Sequence, residues 1–455
     1  MTPANHPTSG IPGPTGPLLT ARLDRSLVNA KGGSVRHLIV KVQAPVDDSA
    51  ATKSRQPLNL GLVIDASGSM AGAPLDAAKS AALGVIEALR DTDHLSIVSF
   101  ASDCILHADG VRMTVEGRQT AAEAIRPLDT RGSTDLGGGW LLGCEGVAKR
   151  QAAADALERN RVILLSDGHA NQGECDPGVL ARHARALQDR GVLTSTVGIG
   201  TGYSPIQLQA IAEQGGGRMH DAERPEEIVE IVLAELAETL TTTVENVELR
   251  LTLPDGMTAE IYGTTPTTTT GKRFSALLGA MTSGTSRNLV VKLTCPPGAA
   301  ESRLPIAVAA RWRTPDSPAV HACEVGSLEV HYGSGQACLA QPHDADTAKT
   351  VAEQWQAHIY HRAIVLNQDG EQEAAATFVE RELKYFSRYC QGISGTERFV
   401  RGIVDLLPSL ITTFSPRDAK EMLLSTYKMT RGEVDRRSMR RESIDEIVRS
   451  HRRKQ

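Results

Sequence analysis

Three observations predict an α/β core whose sheet is doubly wound and mostly parallel. Between residues 57 and 240, strand-like runs at 60–64, 95–100, 162–165 and 192–199 alternate with stretches of helical spacing, the pattern of a parallel sheet covered by helices. Two of those runs lead into a carboxylate, Asp65 and Asp167, and open α/β sheets bind ligands at the C-terminal ends of their strands. On both sides of this core the apolar pattern changes to period two without helices, which is the signature of a β-sandwich. The expected fold is therefore an α/β sheet inserted in, or flanked by, a β-sandwich, with a C-terminal helical region.

Residues 1–17 are rich in Pro, Gly, Ser and Thr and are expected to be disordered. They carry neither a basic start nor an apolar stretch, so they do not read as a signal peptide. Residues 18–56 contain one alternating strand, 37–44, with no neighbour to pair with. It is expected to join the strands downstream, which makes the core an insertion. Within 57–240, Leu75, Ala78, Ala82, Val85, Ile86 and Leu89 mark one buried helical face. A strand at 95–100, an antiparallel edge at 104–113 and helices at 116–128 and 136–157 follow. After the strand that leads into Asp167 come a helix at 179–188 and a strand at 192–199. The helix around Ile206, Leu208 and Ile211 stops at Gly215 to Gly217. A short strand at 218–221 precedes a last helix, opened by Pro225.

Residues 244–335 read as the sandwich. Val247, Leu249, Leu251 and Leu253 alternate, as do 289–293 and 306–312, and 325–332 is a further strand. The Thr-rich stretch 264–270 is a loop or an edge strand, and composition does not decide which. Residues 344–435 are helical. Val351, Trp355, Ile359 and Ala363 form one face, and Ala376, Val379, Leu383 and Phe386 another. Gly392 and Gly395 interrupt the run, and 400–411 resumes it, giving a small bundle. The tail, 436–455, has eight Lys or Arg against three acids, and its Arg440-Arg441-Glu442-Ser443 has the form that basic-directed kinases accept.

Composition narrows the function. At 455 residues the chain is long enough for about three domains. A net charge of −5 and 4% aromatic residues make no case for nucleic acid. Seven cysteines without a C-x-x-C pair read as reduced thiols, and no apolar run reaches membrane-spanning length. A cytoplasmic location is expected. No H-E-x-x-H, G-x-S-x-G or P-loop is present. The glycines at 198–202 read as a turn, His169 as a solvent-facing loop residue and Asp135 as a helix cap.

The chemistry sits in Asp65-x-Ser67-x-Ser69. A carboxylate and two hydroxyls at alternate positions after a buried strand form an oxygen cage, which suits a hard cation such as Mg²⁺. Alone, the same residues also fit a helix N-cap. Thr134, in Ser133-Thr134-Asp135, and Asp167, at the end of 162–167, add a third hydroxyl and a second carboxylate. With these five positions the chain resembles a von Willebrand factor A (vWA) domain with an intact metal-ion-dependent adhesion site (MIDAS), of the bacterial cytoplasmic type. The resemblance implies a Rossmann-like sheet and a divalent cation, Mg²⁺ or else Mn²⁺ or Ca²⁺, at Asp65, Ser67, Ser69, Thr134 and Asp167.

In that family the hydroxyls ligate directly and the aspartates act largely through water, leaving a position for a partner's carboxylate. The resemblance thus implies a metal-dependent protein-binding module rather than an enzyme, with no catalytic residues. Its layout is similar to bacterial A-domain proteins that accompany a Ser/Thr kinase and a PP2C-type phosphatase, or an AAA-type ATPase, as signalling scaffolds. Two other readings stand beside it: a metal-dependent phosphoesterase using Asp65 and Asp167, and a structural scaffold whose site holds no metal.

Overall fold

The computed structural model describes residues 8–10, 16–47, 56–154, 158–200, 202–315, 317, 319–431 and 448. The chain opens with four strands: β1 (Thr8–Gly10), β2 (Leu18–Leu23), β3 (Leu27–Asn29) and β4 (Ser34–Gln43). The expectation of disorder across 1–17 is corrected in part, because β1 pairs antiparallel with the free edge of β2. Residues 1–7 and 11–15 lie outside the described residues.

The α/β unit follows. It runs β5 (Leu58–Asp65), α1 (Ala73–Ala88), β6 (His94–Phe100), β7 (Cys104–Arg112), α2 (Val115–Ile125), α3 (Leu136–Ala153) and β8 (Arg159–Ser166). It continues through α4 (Pro177–Asp189), β9 (Val192–Ile199), α5 (Pro205–Gln214), β10 (Gly216–Ala222) and α6 (Pro225–Leu240). Its six strands lie in the order β10-β9-β8-β5-β6-β7, all parallel except the edge strand β7. The four central strands β5, β6, β8 and β9 are buried at every position, as strands covered on both faces must be. Helices α1, α2 and α6 cover one face and α3, α4 and α5 the other. Two helices differ from expectation. The α2 helix ends at Ile125, and α3 ends at Ala153, where Ala154 turns extended.

The downstream strands are β11 (Thr242–Thr252), β12 (Thr258–Ile261), β13 (Thr267–Thr270), β14 (Arg273–Thr282), β15 (Ser286–Cys295), β16 (Arg303–Arg313) and β17 (His321–Gly333). They form two sheets, β1-β2-β4-β15-β12 and β13-β14-β11-β16-β17-β3, which enclose one apolar core. Strand β4 is central in the first sheet. It pairs with β15 along its whole length, Ser34 opposite Cys295 and Gln43 opposite Ser286. The α/β unit is therefore inserted between β4, in one sheet, and β11, in the other. The sandwich begins at Thr242 rather than at 244, and register shifts between Thr242 and Glu248 break the alternation there. The Thr-rich stretch is an exposed edge strand, β13.

The helical region comprises α7 (Gly335–Ala340), α8 (Ala345–Gln368), α9 (Gln372–Cys390), α10 (Glu397–Leu406) and α11 (Pro416–Arg431). It packs on the outer face of the first sheet through Ile39, Tyr262 and Val290. One helical face is corrected. The buried positions on α9 are Ala375, Val379, Glu382, Phe386, Tyr389 and Cys390, with Leu383 only partly buried against the same core; the Glu382 carboxylate is tolerated there because it accepts the Trp355 Nε1–H at 2.9 Å. The tail lies outside the described residues, Ser443 included, apart from Val448, which is buried among the helices.

Candidate metal centre

Strands β5 and β8 are neighbours, yet their following connections leave in opposite directions along the sheet, to β6 on one side and β9 on the other. That is the switch point at which a crevice opens above the strand ends. Asp65 closes β5 and Asp167 follows β8, so both carboxylates stand at its mouth.

Asp65 is fully buried. One carboxylate oxygen accepts the Ser67 N–H at 2.8 Å and the other accepts the Ser166 hydroxyl at 2.6 Å. Burial pushes its carboxyl above the usual range, opposed by the hydrogen bonds from Ser166 and Ser67. The Ser67 and Ser69 hydroxyls lie 3.1 Å apart, and Ser69 donates to Asp167 Oδ1 at 2.7 Å. Asp167 is pushed up to about 6 by burial and by the charge of Asp65, against the Ser69 hydrogen bond.

Thr134 arrives from a different connection. Its loop is stitched beneath the first by Arg131 N–H to Ala66 O at 2.6 Å and Gly68 N–H to Gly132 O at 3.1 Å. The Thr134 N–H donates to Asn171 Oδ1 at 2.9 Å. Thr134 Oγ1 and Ser69 Oγ both face Gly168, 3.5 and 3.7 Å from where a Cβ would stand. The five residues named from sequence thus come to one pocket. Asp135 does not join them: its side chain caps α3 by accepting the Gly138 N–H at 2.9 Å. His169 is exposed at the rim.

Sequence reasoning missed the supports. Ser166 orients Asp65, and its signal was a hydroxyl at the end of an otherwise apolar strand. Asn171 anchors the Thr134 loop, and Gln207 holds the segment after Asp167 by accepting the Ala170 N–H at 3.1 Å and donating to Cys175 O at 2.8 Å. Both depend on a long-range approach of loops that no local pattern encodes.

The residues fit a hard dication. Two carboxylates and three hydroxyls converge, and among the described residues no Lys or Arg side chain is bonded to Asp65 or Asp167. The two acids repel one another in a low-dielectric pocket. A cation held by Ser67, Ser69, Thr134, Asp65 and Asp167 would relieve that repulsion.

Residues 59–233 match the family model for the von Willebrand factor type A domain. This part of the chain is a vWA domain. It is 33% identical over 204 residues to an uncharacterized protein of Synechocystis sp., an alignment covering 45% of this chain and 46% of that one. It is 30% identical over 167 residues to the human inter-alpha-trypsin inhibitor heavy chain H3, covering 36% of this chain and 19% of that protein. The chain therefore spans under half the length of these relatives. Two solved structures share the arrangement beyond the vWA domain. A von Willebrand factor type A protein from Catenulispora acidiphila superposes with a TM-score of 0.64 at 17% identity, over 96% of this chain and 99% of its own. The ArnB paralog VWA2 from Sulfolobus acidocaldarius gives 0.56 at 17% identity, over 91% and 98%. At such identity these likenesses establish the fold. vWA domains often hold a divalent metal and generally bind partner proteins.

Proposed function

We propose that this chain is a metal-dependent protein-binding module and not an enzyme. Its MIDAS residues hold Mg²⁺, for which Mn²⁺ or Ca²⁺ can substitute. The observation that carries the reading is the pair of buried carboxylates with three hydroxyls and no bonded Lys or Arg side chain among the described residues. When bound, a dication supplies a coordination position for an acidic side chain of the partner. Ser67, Ser69 and Thr134 offer neutral oxygens, which neutralise less of the cation's charge than direct carboxylates would. Asp65, with both oxygens already bonded, is fixed in orientation and contributes charge from within the sheet. A phosphoesterase would need a general base or a second-metal cluster beside the pocket, and the binding reading requires neither.

The partner class we propose is a component of a bacterial cytoplasmic signalling assembly, a Ser/Thr kinase, PP2C-type phosphatase or AAA-type ATPase, with this chain as scaffold. No helix among the described residues is long and apolar enough to cross a membrane. The test is affinity capture with the full chain. Partner recovery is expected to fall with EDTA and with Thr134→Ala, which removes a neutral ligand without changing charge. It is expected to survive high salt, which screens exposed ion pairs but not inner-sphere coordination. Equal recovery with EDTA and with Thr134→Ala overturns the reading.

A further inference from the structure

The helix α11 belongs to the helical region by sequence but packs into two cores. Ala419, Met422 and Leu423 face the helical bundle, whereas Leu424 and Tyr427 join the core cluster on the α3–α5 face of the vWA domain. The Tyr427 hydroxyl accepts the N–H of Met219, a backbone donor of the edge strand β10. Two turns before Tyr427 in α11, Lys420 reaches the rim of the sheet at the end that carries the candidate metal centre.

There Lys420 meets three groups. Its ammonium lies 3.1 Å from Asp221 Oδ1, with both side chains almost wholly buried. It donates to the carbonyl of Gly200, just past β9. It stands 4.1 Å above the Tyr203 ring, and the Tyr203 hydroxyl donates to the same Asp221 oxygen at 2.6 Å. The next residue back from Tyr203 closes the path. A Cβ on Gly202 would come within 2.9 Å of the Asp167 carbonyl oxygen, so the 202–203 turn lies directly against the backbone of a MIDAS residue. A buried ion pair adds little net stability, because desolvation cancels most of its attraction. What this one supplies is position: it fixes where the turn sits against Asp167.

We infer that Lys420 is a positioning residue of the candidate metal centre, and that α11 is a latch through which the helical region sets that site's affinity. The inference rests on the metal reading above for its affinity arm and on geometry alone for its backbone arm. With α11 docked, the turn is pinned from behind and the Asp167 segment is held; with Lys420 neutralised, the turn loses its cation and the Asp167 backbone its wall.

The test uses the full chain with Lys420→Met, which keeps length and removes charge, and Lys420→Arg as the conservative variant. Arg417→Ala, at an exposed side chain on the same helix, serves as control. Amide hydrogen exchange in the segment after Asp167 and calorimetric Mn²⁺ binding are measured together. Lys420→Met is expected to speed exchange there and to weaken Mn²⁺ about tenfold, equivalent to roughly 1.4 kcal/mol. Lys420→Arg is expected to recover most of both, and Arg417→Ala to change neither. If Lys420→Met fails to fold, Tyr203→Phe, which removes the Asp221 hydrogen bond and keeps the ring, is expected to shift both readouts in the same direction by less. Wild-type exchange and affinity in the folded charge variant overturn the inference. A wild-type protein that binds no Mn²⁺ overturns the metal reading instead, and exchange after Asp167 then decides the latch by itself.

Discussion

At the scale of single residues, the site's behaviour follows from how few atoms are free to move. Asp65 accepts one hydrogen bond on each oxygen from residues on two different strands, β5 and β8, or the loops just beyond them. Its charge is therefore placed by the sheet and not by side-chain choice. Asp65→Ala removes that charge from a fully buried position and leaves the Ser166 hydroxyl only its longer approach to the Gly168 carbonyl, at 3.5 Å. Saturating Mn²⁺ at about a hundredfold over its dissociation constant is expected to stabilise the wild type by roughly 2.7 kcal/mol, read as a rise in melting temperature. The Asp65→Ala protein is expected to show no such rise. Equal metal-induced shifts in both proteins would place the cation elsewhere. Close approach matters as much as charge here. Gly139 in the first turn of α3 lies where a Cβ would stand 2.3 Å from the Phe100 Cβ, so the glycine run after Thr134 lets α3 close against β6 behind the pocket.

At the scale of elements, the last vWA helix is tied to the sheet by a titratable pair. His220 of β10 meets Glu235 of α6 at 2.7 Å, and Ser195 of β9 donates to the same carboxylate. Burial opposes both charges, but the mutual hydrogen bond outweighs it. Glu235 is held below the usual carboxylate range and His220 above the usual imidazole range. The Glu235 contribution is present above its unfolded value of about 4.3 and lost as pH falls through the lower folded value. The His220 contribution is complete below about 6.5 and lost as pH rises through the higher folded value. The pair thus stabilises most between roughly pH 4.5 and 6.5. The melting-temperature gap between wild type and Glu235→Gln is expected to be largest in that window and to narrow on both sides. A gap independent of pH would show that the pair is not charged in the folded protein.

At the scale of the whole molecule, the inserted topology makes the parts depend on one another. Strand β4 supplies Leu38, Val40 and Val42 to the sandwich core, each contributing roughly 1.5–3 kcal/mol when fully buried. It also covers both β2 and β15, whose hydrogen-bonding edges would otherwise be bare. Deleting residues 1–44 is therefore expected to unfold the sandwich, seen as loss of its cooperative transition in circular dichroism and calorimetry. A shortened chain in which residues 242–333 still melt cooperatively would contradict the insertion. The helical region has no independent seat either, since its core includes Ile39, Tyr262 and Val290 of the first sheet.

Elements whose physics is local were legible in the amino-acid pattern. Apolar runs announced the buried parallel strands, helical spacing announced α1 and α8, and Pro225 marked where α6 begins. The convergence of the five oxygen-bearing residues was equally legible, because they sit at strand ends and in the loops just beyond them, where a parallel sheet gathers its ligands. Tertiary structure decided the rest, because it depends on contacts between segments far apart in the chain. The 273–282 strand has no clean alternation, and only its place beside β11 makes it β14. Glu382 is buried, with Leu383 only partly so, because Trp355 donates to its carboxylate. Ser166, Asn171 and Gln207 became supports of the site only when loops from separate crossovers met above the switch point. Lys420 lies 199 residues after Asp221, which it pairs with, and at that separation no periodicity or spacing links two charges. Only the folded chain brings them together, in a pocket where burial makes the pairing specific.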